Sequence, residues 1–138
     1  MNSRSIDVFF YGLFMDPELL HAGGLQPTNA RRARVSGMAL RIGQRATLVP
    51  DPAAGTVHGF VFGLTHQEID QLYREPSVAM YRPEAVIAHL EDQSLIPALC
   101  FNLPPSGAAE PANPEYAAKL RTIGMRLGLP ADYLASIR

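Results

Sequence analysis

Thr56-Val57-His58-Gly59-Phe60-Val61-Phe62-Gly63-Leu64 is the stretch whose alternation decides the fold. In an extended chain His58, Phe60, Phe62 and Leu64 fall on one face. Val57, Gly59, Val61 and Gly63 fall on the other. Bulky residues against one layer and glycines against a close neighbour suit a tightly curved sheet, because a residue without a Cβ lets another backbone approach. Next, Thr65-His66-Gln67-Glu68 forms a capping box, and Ile69, Leu72 and Tyr73 share one face of the helix it opens. Pro76 predicts an end to that helix near Arg74 or Glu75. Upstream, Ile6–Tyr11 reads as a buried strand stopped by Gly12. Asp16-Pro17 caps and starts a short helix that Gly23 ends. Ala33–Ile42 reads as one extended segment. Ala46–Val49 is another, stopped by Pro50-Asp51-Pro52. Downstream, Tyr81–Leu90 and Leu95–Asn102 predict a hairpin across residues 91–94, with Pro97 at an edge or a bulge.

After the strands comes a linker, residues 103–113, rich in Pro, Gly and Ala. Asn113-Pro114-Glu115 then opens a helix with a cap, a first-position proline and an acidic first turn. Tyr116, Leu120, Ile123 and Leu127 lie on its one apolar face. Gly128 ends it, and Pro130 starts a last short helix. The predicted architecture is α+β: a small mixed sheet of five to six strands with short flanking helices and a C-terminal helical extension. The 138 residues form a single domain (1–138), with a core at about 6–102, the linker at 103–113 and the terminal helices at 114–138.

Composition removes several classes of function. Twelve basic residues against 13 acidic leave a net charge of −1, with no general pull toward nucleic acid or an anionic membrane. No apolar run approaches the ~20 residues of a membrane span. The start lacks the apolar core of a secretion signal, so a cytoplasmic protein is expected. The single Cys100 excludes an internal disulfide framework and reads as a small buried hydrophobe. His21, His58, His66 and His89 sit on different elements without metal-ligand spacing, so no metal and no cofactor are expected. Phosphate-loop, dinucleotide and nucleophile-elbow motifs are missing. Arg31, Arg32 and Arg34 read as a solvated strand entrance.

Two places remain for chemistry. Tyr11-Gly12-Leu13-Phe14 follows a buried strand, where glycine lets the backbone turn and approach a ligand. Successive amides there can cradle an anion or a developing oxyanion. Glu75, in Tyr73-Arg74-Glu75-Pro76 and followed by Met80-Tyr81, is expected at a helix C-terminus among apolar neighbours. Both settings disfavour an ionised carboxylate and suit a general acid/base. From the local sequence alone, an ordinary turn and a solvated carboxylate paired with Arg74 or Arg82 explain these residues as simply.

Taken in order, Phe9-Phe10-Tyr11-Gly12, Val57–Leu64, Ile69–Glu75 and Tyr81 resemble the γ-glutamylcyclotransferase-like (AIG2-like) family over residues 7–102. The resemblance implies a small mixed β-barrel with a pocket between the YG turn and the acidic residue. It implies cyclisation of a small γ-glutamyl amide to 5-oxoproline, with release of an amine or amino acid. Glu75 would then be the base and acid. Tyr11, Gly12, Leu13 and Phe14 would be the cradle, mainly through backbone, and Tyr81 an orienting hydroxyl. Leu13 stands where the family has a small polar residue, Phe14 where many relatives have Asn, and Pro76 where Gly often follows the acid. These exchanges make the pocket more apolar and leave backbone donation in place. A non-catalytic module, binding a small molecule or a protein in the same pocket, is the alternative, and a vestigial pocket a third. The expected partner is a small γ-glutamyl compound, with no nucleic acid and no membrane; a homodimer is left open.

Overall fold

The alternation at residues 56–64 becomes β5 (Thr56–Thr65), the strand around which the sheet is organised. The computed structural model describes residues 4–53, 55–104 and 113–137. β5 runs antiparallel to β1 (Ser5–Phe10) on one side and to β2 (Thr28–Ser36) on the other. β2 also pairs with β6 (Arg82–Leu90), and β6 forms a hairpin with β7 (Leu95–Asn102). β7 returns to β1 in parallel at Val8↔Leu99, which closes a five-stranded mixed barrel. The glycines of β5 let neighbouring strands approach closely, Gly59 against backbone and Gly63 against side-chain hydroxyls. A Cβ on Gly59 would lie 2.1 Å from the carbonyl oxygen of Phe10, and one on Gly63 would lie 2.4 Å from the Ser5 hydroxyl. No side chain fits at either place without displacing a neighbour.

The single segment expected over Ala33–Ile42 is instead two strands. Gly37 adopts φ +78, a left-handed geometry that glycine takes without steric cost. The chain turns there, and β3 (Met38–Ile42) leaves the barrel to pair with β4 (Ala46–Pro50) in a separate two-stranded sheet. β4 is tied to the end of β7. The Leu48 amide donates to Asn102 Oδ1 (3.3 Å), and the Leu103 amide donates to Thr47 Oγ1 (2.9 Å). Asn102 is almost wholly buried, and its own amide nitrogen donates to Glu84 Oε1 (3.1 Å). Pro97 stands on an exposed stretch of β7, before β1 joins at Leu99.

The helices follow their capping signals. α1 (Pro17–Ala22) is capped by Asp16, which accepts from the Glu18 amide, and it stops at Gly23. α2 (His66–Leu72) carries the Thr65/Glu68 capping box. It ends at Leu72, short of the end expected from Pro76, with Tyr73 as the C-cap, its amide donating to the Ile69 carbonyl and its ring stacked on Phe101 with centroids 4.1 Å apart. α3 (Pro114–Leu127) buries Leu120 in the main core, with Tyr116, Ile123 and Leu127 packed against the same cluster. It is stopped by left-handed Gly128 and followed by α4 (Ala131–Ala135). The linker expected over residues 103–113 lies largely outside the described residues.

The arginine cluster is more than a solvated entrance. Arg31 pairs with Asp7 at 2.6 Å. Arg32 donates to the Leu127 carbonyl (3.1 Å), placing a cation at the negative end of α3. Arg126 of α3 bonds to the buried Asp16 carboxylate. The first and last thirds of the chain are therefore joined by charge as well as by packing.

Candidate functional site

β1 delivers Tyr11-Gly12 to the end of the barrel, and the chain then tightens into a 3-10 turn at Leu13–Met15. Amides of Met15 and Asp16 donate to the carbonyls of Gly12 (3.0 Å) and Leu13 (3.1 Å). Gly12 itself is extended, at φ −105, so its requirement is space rather than an unusual backbone angle. A Cβ there would lie 2.6 Å from the Tyr116 hydroxyl. That hydroxyl accepts from the Leu13 amide at 3.3 Å. The turn forms one wall of a cavity of about 230 Å³. This is below the ~300–1,000 Å³ of sites that take drug-sized ligands, so the space suits a small metabolite.

The other walls come from four separate elements. Ala46 opens β4, Phe101 lies near the end of β7, Tyr81 just precedes β6, and Tyr73 follows α2. Two tyrosines spend their protons on holding these walls together. Tyr11 donates to the Phe101 carbonyl (2.7 Å) and more weakly to Ala46 (3.4 Å), and Tyr81 donates to Ala46 at 2.5 Å. Burial pushes the Tyr11 and Tyr73 hydroxyls far above the ordinary phenol range. Burial raises Tyr116 as well, partly offset by its bond from Leu13. Near neutral pH these groups are neutral phenols and not bases. The lining is otherwise mostly aromatic and aliphatic, with Ser77 as a further hydroxyl. Among the described lining residues Arg45, in the β3–β4 turn, is the cation. Such a cavity can enclose an apolar group while fixing one anionic group by charge and hydrogen bonds.

Tyr11, Gly12, Leu13, Phe14 and Tyr81 all line this one cavity. Glu75 does not. It is exposed, in the turn after α2, and its main-chain carbonyl accepts from the Val78 amide (3.0 Å). Its neighbours Tyr73, Ser77 and Val78 do line the cavity, so Glu75 belongs to the segment that forms the rim. The apolar enclosure expected around its carboxylate is absent. The helix ends at Leu72, so Glu75 is also not part of its last turn. Arg45, Tyr73, Ser77 and Tyr116 are the polar lining residues that sequence reasoning missed. Arg45 carried no local signal beyond its charge in a turn. Tyr116 was legible only as one member of an apolar face. Among the described residues no three His, Cys, Asp or Glu side chains come together as a metal site would require, and no helix is long and apolar enough to cross a membrane.

Fold and cavity together define a small mixed barrel whose YG turn forms one wall of a metabolite-sized, largely apolar site. The profile of the family described as "Gamma-glutamyl cyclotransferase, AIG2-like" matches residues 8–119, and the chain belongs to that family. Solved structures agree on the fold. The human protein loc79017 superposes with a TM-score of 0.82 at 21% identity, over 97% of this chain and 88% of that one. A structure titled "Gamma-glutamyl cyclotransferase" gives 0.78 at 21% identity, over 98% and 89%. An AIG2-like protein from Mus musculus gives 0.58 at 17% identity, over 92% and 85%. No curated protein matches the sequence.

Proposed function

We propose that the chain cyclises a small γ-glutamyl amide to 5-oxoproline and releases the amine. The observation that carries this reading is the convergence of the YG turn, Arg45 and the Glu75-bearing rim on one small cavity, in a chain of this family. The reaction needs no protein nucleophile. The substrate's α-amine attacks its own γ-carbonyl, forming the ring C–N bond. The tetrahedral intermediate collapses by breaking the amide C–N bond. One carboxylate can take the proton from the attacking amine and return a proton to the leaving nitrogen. Glu75 is the candidate, reached by a substrate whose scissile amide lies at the cavity mouth. The Leu13 amide is given to the Tyr116 hydroxyl, so the backbone donors offered to the developing oxyanion are the Gly12 and Phe14 amides of the turn.

A panel of γ-glutamyl amino acids, γ-glutamyl amines and glutathione, read by 5-oxoproline release, tests this directly. Release from at least one compound is expected, and its absence from all of them would sink the enzyme reading. The exposed setting of Glu75 favours a second reading, in which the same cavity binds a small molecule without turning it over. Specific binding with no 5-oxoproline would establish that alternative.

A further inference from the structure

The cavity's polar groups are unequally committed. Tyr11 and Tyr81 give their hydroxyl protons to the carbonyls of Phe101 and Ala46. Tyr116 is used differently, since the hydrogen bond it makes with the Leu13 amide is one it accepts. Among the described residues its proton has no acceptor, and Tyr116 is one of the residues that line the cavity. Arg45 lines the same cavity from the β3–β4 turn. One residue links the two. Asn113 Oδ1 accepts from the Tyr116 amide (3.1 Å) as the cap of α3, and Asn113 Nδ2 donates to the carbonyl of Gln44 (3.2 Å), the residue before Arg45. The C-terminal helix is thus fastened to the turn that carries the cation, and it presents a phenol beside the YG turn.

We propose that Tyr116 and Arg45 form the recognition site for the ligand's carboxylate, with the Tyr116 hydroxyl donating to it and the Arg45 guanidinium neutralising it. This rests on the γ-glutamyl reading of the cavity and narrows it. The α-carboxylate is anchored on the α3 side, which leaves the amide to extend toward the rim at residues 73–78. Substrates would need a free α-carboxylate, and the apolar remainder of the wall would accept amines without charge. Hydrogen bonds to a charged group are the stronger class, so loss of the phenol should be felt chiefly by anionic ligands.

Two unreactive probes isolate the effect: 5-oxoproline, which carries the carboxylate, and 2-pyrrolidinone, the same ring without it. Binding of each to the full chain is measured by calorimetry or ligand-observed NMR for wild type, Tyr116→Phe and Arg45→Gln. The expected result is that both variants bind 5-oxoproline about tenfold more weakly or worse, roughly 1.4 kcal/mol, and change 2-pyrrolidinone less than twofold. A loss under threefold for 5-oxoproline, an equal loss for both probes, or no wild-type binding of 5-oxoproline at millimolar concentration would overturn the proposal. If Tyr116→Phe unfolds, Arg45→Gln carries the same comparison. A wild type that binds 5-oxoproline through Tyr116 yet releases none from any amide would retain this site and refute the cyclisation. Turnover with carboxylate binding indifferent to both variants would do the reverse.

Discussion

The two sides of the cavity are built differently. On the YG side the phenols of Tyr11 and Tyr116 are hydrogen-bonded to main chain from distant parts of the sequence, and the surrounding residues are largely buried. On the rim, residues 74–77 are exposed and Glu75 faces water. A group that must hold one geometry is best surrounded. A group that must exchange protons is best left in reach of solvent and of a ligand that comes to it. On the function proposed above, shape falls to the first side and proton traffic to the second.

The sharpest way to break that division is Glu75→Gln. The substitution keeps size and shape and removes the titrating group. Turnover should fall ~10²–10⁴-fold, about 3–5 kcal/mol of barrier, while the unfolding midpoint stays near wild type because the side chain is exposed. Activity within threefold of wild type would remove Glu75 from the mechanism. The next effect lies on the buried side and falls on stability. Leu120→Ala empties a fully buried position in the core beneath α3 and should cost ~2–5 kcal/mol, seen as a clearly lower melting temperature. An unchanged melting curve would mean that α3 is loosely attached to the barrel.

Tyr11→Phe is smaller again. It keeps the ring and deletes the donor to Phe101 and Ala46, leaving buried carbonyl capacity unmet at a cost of ~1–3 kcal/mol. Chemical denaturation checks it, and a neutral result would show that water replaces the phenol. The smallest effect is a pH dependence outside the cavity. Burial, then Arg34 and Arg32, lower the His58 pKa in the fold. The unfolded chain, near the usual ~6.5, therefore takes up the proton first. This contribution is absent well above pH 6.5, lowers stability as pH falls through that value, and levels off below the folded pKa. His58→Gln should flatten the slope of denaturation midpoint against pH between about 7 and 5. An identical slope in the variant would assign the dependence to other groups.

Much of the fold was legible because its determinants are local. The glycine alternation of residues 57–63, the Thr65/Glu68 box and the Asn113-Pro114 start each act within a few residues, and each forms as expected. The break at Gly37 is not legible, because a lone glycine in a mixed extended segment reads equally as strand or turn. The extent of α2 is less legible, because Pro76 marks where a helix cannot continue and not where it stops, and Tyr73 caps it while its ring stacks on Phe101, far away in sequence. The site divides the same way. The YG turn is written in consecutive residues. Arg45 and Tyr116 reach the cavity only through barrel closure and the docking of α3, which no local pattern encodes. Glu75 could be singled out in sequence, but its exposure could not, because that depends on what packs over the turn.

Cys100 gives the barrel a built-in clock. It is the chain's single cysteine, it has no exposed surface, and burial pushes its thiol up to about 12, helped by the nearby Glu84 carboxylate. A thiol reagent can reach it only when the sheet around β7 parts, since the thiolate is the reactive form and needs solvent to exist. The rate of modification under native conditions therefore counts opening events of that seam. Any small molecule that occupies the cavity next to the neighbouring residue, Phe101, should slow it in proportion to occupancy. Every molecule carries one such site, so ligands at equal concentration can be ranked by how strongly they slow the modification, before any substrate is known.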